Sequence, residues 1–402
     1  MKKITLLGLL ITGFAYASFC QSINELGVWN NNANFSIEYH QDIVITSTTS
    51  GIEFVNVTST SNPTPSASLG NPANFPMAIE VEGDYAYFGG GMTGYFMISD
   101  ISNINFPSQI GILYNISGTA NDIAIDGNYA FMPTNTDTLY SIDIADKTTP
   151  VVVGKLDLGS FPKGVVVVGD YAFVGTSGGL KVVDVSDPTN MNIVTSFGGA
   201  YADIAPDLIN KRIFVSKTGS GFDAIDISNP TNPIGIFQGA GASSSGKLVF
   251  KNNHIFQLGG GVNAFEVSSS AATYLCSYNS TFNGQVNSIT VKDSVFFVST
   301  VNALHVLKLS GGNTGVGIED INNSSGISLY PNPTSKYLKL SGLDKFSFLK
   351  ASILDYEGRV LYEYNLSSKN SIVIDISYLR NGAYILQVSN TKEKENFRFI
   401  KK

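Results

Sequence analysis

The 402-residue chain is poor in the residues that build metal and redox centres, with two cysteines, three histidines and one tryptophan. Two cysteines cannot form a disulfide framework, and three scattered histidines leave no His-rich ligand set. Only 14% of the residues are charged, against about 25% in an average soluble protein. Lys and Arg together (25) fall short of Asp and Glu (32), for a net charge of −7. That balance gives no basic footprint for a phosphate backbone and excludes nucleic acid as a partner. No stretch approaches the roughly 18 consecutive apolar residues of a membrane span, so a transmembrane segment is excluded as well. The glycine triplets Gly89–Gly91 and Gly259–Gly261 lack a following Lys-Ser/Thr and a helix to cradle phosphate. The expectation is a chain that uses no cofactor and no metal.

Glycine is abundant, at 40 residues, and with many Ser, Thr and Asn it points to tight turns between short strands. A short apolar–polar–apolar text recurs as Val55-Asn56-Val57, Ser99-Asp100-Ile101, Ile142-Asp143-Ile144, Val183-Asp184-Val185, Ile225-Asp226-Ile227, Phe265-Glu266-Val267 and Leu307-Lys308-Leu309. Its central residues, at 56, 100, 143, 184, 226, 266 and 308, are spaced by 40 to 44 residues. Upstream of it lies a hairpin text, best preserved as Gly83-Asp84-Tyr85, Gly127-Asn128-Tyr129 and Gly169-Asp170-Tyr171, in which a polar turn joins two apolar strands. One period has room for four short strands and no helix. In the third unit these are Ile123–Ile125, Tyr129–Pro133, Leu139–Ile144 and Val151–Leu156. Four-stranded units that cannot bury both faces alone are blades of a β-propeller. The seventh unit lacks a fourth strand, whereas Leu26-Gly27-Val28-Trp29 resembles the fourth-strand texts Ile110-Gly111-Ile112-Leu113 and Ile234-Gly235-Ile236-Phe237. The N-terminal segment is therefore expected to complete the last blade, covering a free sheet edge. The predicted fold is all-β, a seven-bladed β-propeller over 22–309, then a linker (310–326) and a small antiparallel β-sandwich (327–402).

Residues 27–309 resemble the LVIVD-type repeat family of β-propellers, with Gly179-Leu180-Lys181-Val182-Val183-Asp184-Val185-Ser186-Asp187-Pro188 as the best copy. The resemblance implies a fold and a surface or secreted setting, and no common activity. The segment from 327 onward resembles the type A C-terminal sorting domain of the type IX secretion system of Bacteroidota. That resemblance rests on Tyr330-Pro331-Asn332-Pro333, Asp355-Tyr356-Glu357-Gly358, Gly382-Ala383-Tyr384 and the basic end Lys401-Lys402. It implies passage across the outer membrane and, as a partner, the type IX secretion machinery. Residues 1–21, with Lys2 and Lys3, an apolar centre over 4–15 and Ala15-Tyr16-Ala17, read as a signal peptide.

Ligands of propellers gather where inner strands begin. Met77, Asp122, Lys163, Asp203, Lys247 and Ser288 occupy those positions. Asp122, Lys163 and Asp203 fall in consecutive units and are the candidate ligand-binding residues at the channel mouth. Two carboxylates there suit a glycosidase or, with carbonyl groups, calcium. Solvated strand ends with a salt bridge explain the same residues more simply. Gly175-Thr176-Ser177-Gly178-Gly179 matches a nucleophile elbow in text, yet it joins two strands where the elbow needs a strand-to-helix turn. Aromatics recur at fixed unit positions, as at Phe131, Phe173, Phe214 and Phe256, the mark of core between blades. No catalytic residue is assigned. The expected function is a secreted or surface binding or adhesion propeller for a polysaccharide or surface protein, with a secreted glycan hydrolase as the alternative.

Overall fold

Every repeat text lies on the third strand of a four-stranded antiparallel sheet, and seven such sheets follow one another along the chain in the computed structural model. The structure describes residues 22–31, 35–70, 76–91, 94–219, 221–240, 246–278, 282, 285–310, 328–330, 334, 336–341, 350–354, 360–365, 371–379, 382–389 and 394–401. The proposed signal peptide lies outside them. The chain folds as two units, Met1–Asn313 and Thr314–Lys402.

In the first unit the innermost strands are Ile37–His40, Pro76–Glu82, Ala124–Asp126, Pro162–Val168, Tyr201–Asp207, Leu248–Lys251 and Val286–Lys292, which define blades 1 to 7. They touch one another in that order, and the strand of blade 7 touches that of blade 1, so the sheets close into a ring. Local chemistry explains each blade. The inner hairpins turn at residues with positive φ, among them Asp42, Gly83, Gly127, Gly169, Asn253 and Asp293, residue types that tolerate the left-handed region. At the end of the third strand the backbone N–H donates back to the hairpin turn in all seven blades, over 2.7–3.1 Å, as from Val57 to the Asp42 carbonyl and from Ile144 to that of Asn128. The recurring acid pins the next turn: Asp100, Asp143, Asp184 and Asp226 accept from the backbone N–H two residues on.

Neighbouring blades bury the repeated aromatics between them. Phe131, Phe173, Phe214 and Phe256 are at most 2% exposed, and each is worth about 2–3 kcal/mol in burial. Across the interface of blades 5 and 6, Phe214 packs on Phe250 with ring centroids 4.9 Å apart, and Phe222 meets Phe265 edge-on at 5.2 Å. These rings are core, with no face left for stacking a sugar.

Ring closure uses Ser22–Asn30, which pairs antiparallel with Ala303–Ser310 and places Trp29 opposite Leu304. The strand carries a bulge between Glu25 and Gly27, and a side chain at Gly27 would meet the Thr60 carbonyl of blade 1 at 2.4 Å. At Gly111 and Gly154, in the outer strands of blades 2 and 3, a side chain would likewise meet the Lys147 and Pro188 carbonyls of the next blade, at 2.1 and 2.2 Å. Gly235, which has the same text in blade 5, meets only Phe197 at 3.5 Å. Gly27→Ala is therefore expected to lower the unfolding free energy by about 2 kcal/mol, as backbone is forced aside, while Gly235→Ala leaves it within about 0.5 kcal/mol. Urea denaturation of the two variants measures the contrast.

The second unit has a three-stranded sheet (Ser328–Tyr330, Tyr337–Ser341, Ser371–Asp375) and a four-stranded one ordered Val360–Asn365, Lys350–Leu354, Gly382–Ser389, Lys394–Lys401. Leu338, Leu340 and Ile374 of the first share a core with Ile353, Leu386 and Phe399 of the second, which makes the unit an antiparallel sandwich. Of the sorting-motif residues, Tyr384 stacks on Phe399 at 5.6 Å and Lys401 is buried. Pro331, Asn332, Pro333, Asp355, Gly358 and Lys402 lie outside the described residues.

Candidate functional site

The inner strands bring charges from five blades together in the central channel, and the set differs from the one read from sequence. Asp122 and Asp203 do converge, but the cation between them is Lys247. Its Nζ lies 3.5 Å from Asp122 Oδ1 and 3.4 Å from Asp203 Oδ1. Lys163 is half-buried on the inner strand of blade 4 and takes part in no ion pair among the described residues. It stands one blade from each aspartate in sequence order, whereas Lys247 of blade 6 meets Asp203 of the neighbouring blade 5 and reaches Asp122 of blade 3 across the ring.

Both aspartates also tie blades together through backbone. Asp122 Oδ2 accepts the Val165 N–H of blade 4 at 2.9 Å, and Asp203 Oδ2 accepts the Leu248 N–H of blade 6 at 2.7 Å. The Ser216 hydroxyl accepts the Asp203 N–H at 2.9 Å. Gly164 gives Asp203 its room: a side chain there would lie 3.1 Å from the Asp203 carboxylate. These carboxylates clamp the starts of inner strands, satisfying N–H groups that the sheets leave unpaired.

Two further acids escaped the sequence reading. Glu38 of blade 1 accepts the Thr290 hydroxyl of blade 7 at 3.2 Å, and that hydroxyl oxygen also accepts the Tyr39 N–H at 3.3 Å. Glu80 of blade 2 feels the charges of Glu38, Asp122 and Lys247. The signal was present in Ile37-Glu38-Tyr39 and Ile79-Glu80-Val81, a glutamate between apolar neighbours on an inner strand. Four carboxylates thus face one lysine. Burial raises the Glu38 carboxyl to about 7, although the Tyr39 N–H, the Thr290 hydroxyl and the Lys247 charge pull it down. Burial, with the Glu38 and Asp122 charges, holds Glu80 well above the usual carboxylate range. Burial likewise raises Asp203, against the pull of Lys247. Burial disfavours the Lys247 ammonium, but Asp122 and Asp203 outweigh it and keep it charged.

The linkage has a definite sign. Glu38 holds its proton more tightly folded than unfolded, where its ordinary value is near 4.5, so folding takes up a proton between those values. Its contribution is complete below about pH 4.5 and lost as pH rises through about 7. Unfolding free energy is expected to fall by about 2 kcal/mol between pH 5 and 8, and Glu38→Gln to flatten much of that decline. Urea titrations at a series of pH values measure it.

Elsewhere two of the histidines have structural partners, His254 with its Nδ1 2.8 Å from the Asn252 carbonyl oxygen and His305 in the closing blade. His305 is buried, with Nδ1 2.8 Å from Glu25 Oε2 of the closing strand, and Tyr278 donates to the same oxygen at 3.2 Å. The Ser177 text is a hairpin turn, with Thr176 paired to Gly179 and its hydroxyl donating to the Gly179 carbonyl at 2.7 Å. Among the described residues no group of three or more His, Cys, Asp or Glu is placed to hold a metal ion. Nor is any helix there long and apolar enough to cross a membrane.

Comparison with known proteins agrees with this architecture. The LVIVD repeat model matches residues 76–114, 117–157, 162–198 and 213–238, and the secretion system C-terminal sorting domain model matches 328–402. Among solved structures, the β-propeller domain of Cps50 (Swd1) from Myceliophteria thermophila superposes with a TM-score of 0.60 at 9% identity, covering 72% of this chain and 100% of that one. That likeness is one of fold. No curated protein gives a significant match. The chain is thus a β-propeller carrying LVIVD repeats, joined to a type IX secretion system sorting domain that directs it to the cell surface or the medium.

Proposed function

We propose that this exported propeller is a binding or adhesion protein, presenting the loops around the channel mouth to a polysaccharide or a surface protein. One observation carries the reading. Asp122 and Asp203, the acids best placed to act on a ligand, are both committed to Lys247 and to backbone N–H groups of the next blade. A carboxylate engaged through both oxygens in this way holds structure, and its bonds to ammonium and N–H groups stabilise the charged form and weaken it as a base toward a substrate proton. The rigid scaffold with variable loops suits recognition, since a preformed surface loses little entropy on binding.

A secreted glycan hydrolase is favoured by a different observation: Glu38, held near 7 in the channel, is a carboxylic acid able to donate a proton at neutral pH. The experiment is to pass the full chain over immobilised polysaccharides and surface proteins while assaying release of reducing ends. The expected result is retention on one class of polymer or protein without turnover, unchanged in Asp122→Asn, Asp203→Asn and Glu38→Gln variants. Reducing ends released by the parent and lost in Glu38→Gln, with its fold intact, would establish the hydrolase instead.

A further inference from the structure

The inner hairpin of blade 5 breaks the pattern of the other six. Where those turns are polar and tight, this one runs Asp207-Leu208-Ile209-Asn210-Lys211 and lifts two aliphatic side chains into solvent, Leu208 at 58% and Ile209 at 67% exposure. The turn is held from beneath. Asp207 accepts the Asn210 N–H and side-chain amide at 3.3 and 2.8 Å and the Arg212 Nε–H at 2.8 Å. Arg212 Nη1 donates to the Ser268 carbonyl of blade 6 at 2.6 Å. Asp207 and Arg212 form the one ion pair among the described residues with both partners buried. Such a pair contributes little net stability and fixes one geometry, and here that geometry displays Leu208 and Ile209. A rigid apolar protrusion has already lost the freedom that a flexible loop gives up on binding.

Charge identifies what it fits. At the same end of blades 4 to 6 stand Asp170, Asp184, Asp187, Asp226 and Glu266, against Lys211 and Lys251. Hydrogen bonds from Ser186, Thr189 and Ser228 hold Asp184, Asp187 and Asp226 below the usual carboxylate range, so the surround is negative at any physiological pH. A negative surround repels an anionic bilayer and attracts a basic protein surface. We propose that the Leu208–Ile209 turn anchors a second docking face for a protein partner offering an apolar face flanked by lysine or arginine, as on an amphipathic basic helix. This face lies at the end of the blades opposite Asp122 and Lys247, and so is independent of recognition at the channel mouth.

The test uses the full chain and, as probe, a synthetic amphipathic helical peptide with one leucine face and one lysine face, titrated calorimetrically. Expected is binding that weakens with salt and falls by about tenfold or more in Leu208→Ser/Ile209→Ser. A probe with alanine in place of leucine is expected to bind no better than that variant. Asp187→Asn, which keeps an acceptor for Thr189, is expected to reduce the salt dependence. Equal binding by the parent and the Leu208/Ile209 variant, at equal thermal stability, overturns the proposal, as does absence of binding. Capture of phosphatidylcholine–phosphatidylserine vesicles that depends on Leu208 and Ile209, with no peptide binding, would make the turn a membrane contact and overturn it too.

Discussion

Deletion of residues 327–402 is expected to leave a folded propeller in the periplasm, with secretion to the medium or surface lost. The address and the propeller are physically separable. The sorting domain has its own core around Leu338, Ile353, Leu386 and Phe399, and among the described residues none of the propeller's core clusters draws on it. Removal therefore takes away the recognition element without opening a hole in any blade. Immunodetection in periplasmic and medium fractions reads the location, and protease resistance of the retained species reads its fold. Normal appearance in the medium after the deletion would overturn the sorting role of this segment.

Replacing Lys247 by Ala is expected to have the largest effect on stability of any single channel substitution. One ammonium serves Asp122 and Asp203 from two other blades. Both aspartates are largely shielded, Asp122 at 17% and Asp203 at 10% side-chain exposure. Removing one partner of a shielded pair strands charge, which costs about 3–5 kcal/mol when burial is complete. Lys247 itself is 33% exposed, so water screens part of that loss and about 2–3 kcal/mol is expected. Lys163→Ala, at the position the sequence favoured, is expected to change stability by less than about 0.5 kcal/mol. Thermal and urea denaturation of the two variants side by side decide the matter. Equal effects would mean that the Lys247 bridge contributes nothing in solution.

The pH series and the lysine variants bear on one another. With Lys247 gone, Glu38 and Glu80 lose the positive charge that pulls both of them down, so the Lys247→Ala variant is expected to lose stability more steeply above neutral pH than the parent.

Much of the fold is legible in the sequence because its causes are local. In the third blade the strands read from text, Ile123–Ile125, Tyr129–Pro133, Leu139–Ile144 and Val151–Leu156, stand within one residue of Ala124–Asp126, Tyr129–Thr134, Thr138–Asp143 and Val151–Asp157 at every end. Turn residues and alternation act over two to six positions, and the repeat multiplies the signal. The recurring Asp acts at the same short range, as in the bond from the Ala145 N–H to Asp143 two residues before it. The glycine in the outer-strand text was less transparent. Gly27 and Gly111 are needed because a carbonyl of the next blade presses on them, while Gly235 has no such neighbour, and the three share the same apolar surroundings in the chain.

The sequence alone determined the period, the four strands in each unit, the turn chemistry and the export address, since each is written in residues near one another. Only the tertiary structure decided which charges meet. Lys247 and Asp122 are 125 residues apart, and His305 and Glu25 are 280 apart. The ring lays the closing strand beside the last blade and brings distant inner strands to a common axis, and the side chain that spans that axis is selected by reach and direction across the channel, which no spacing along the chain encodes.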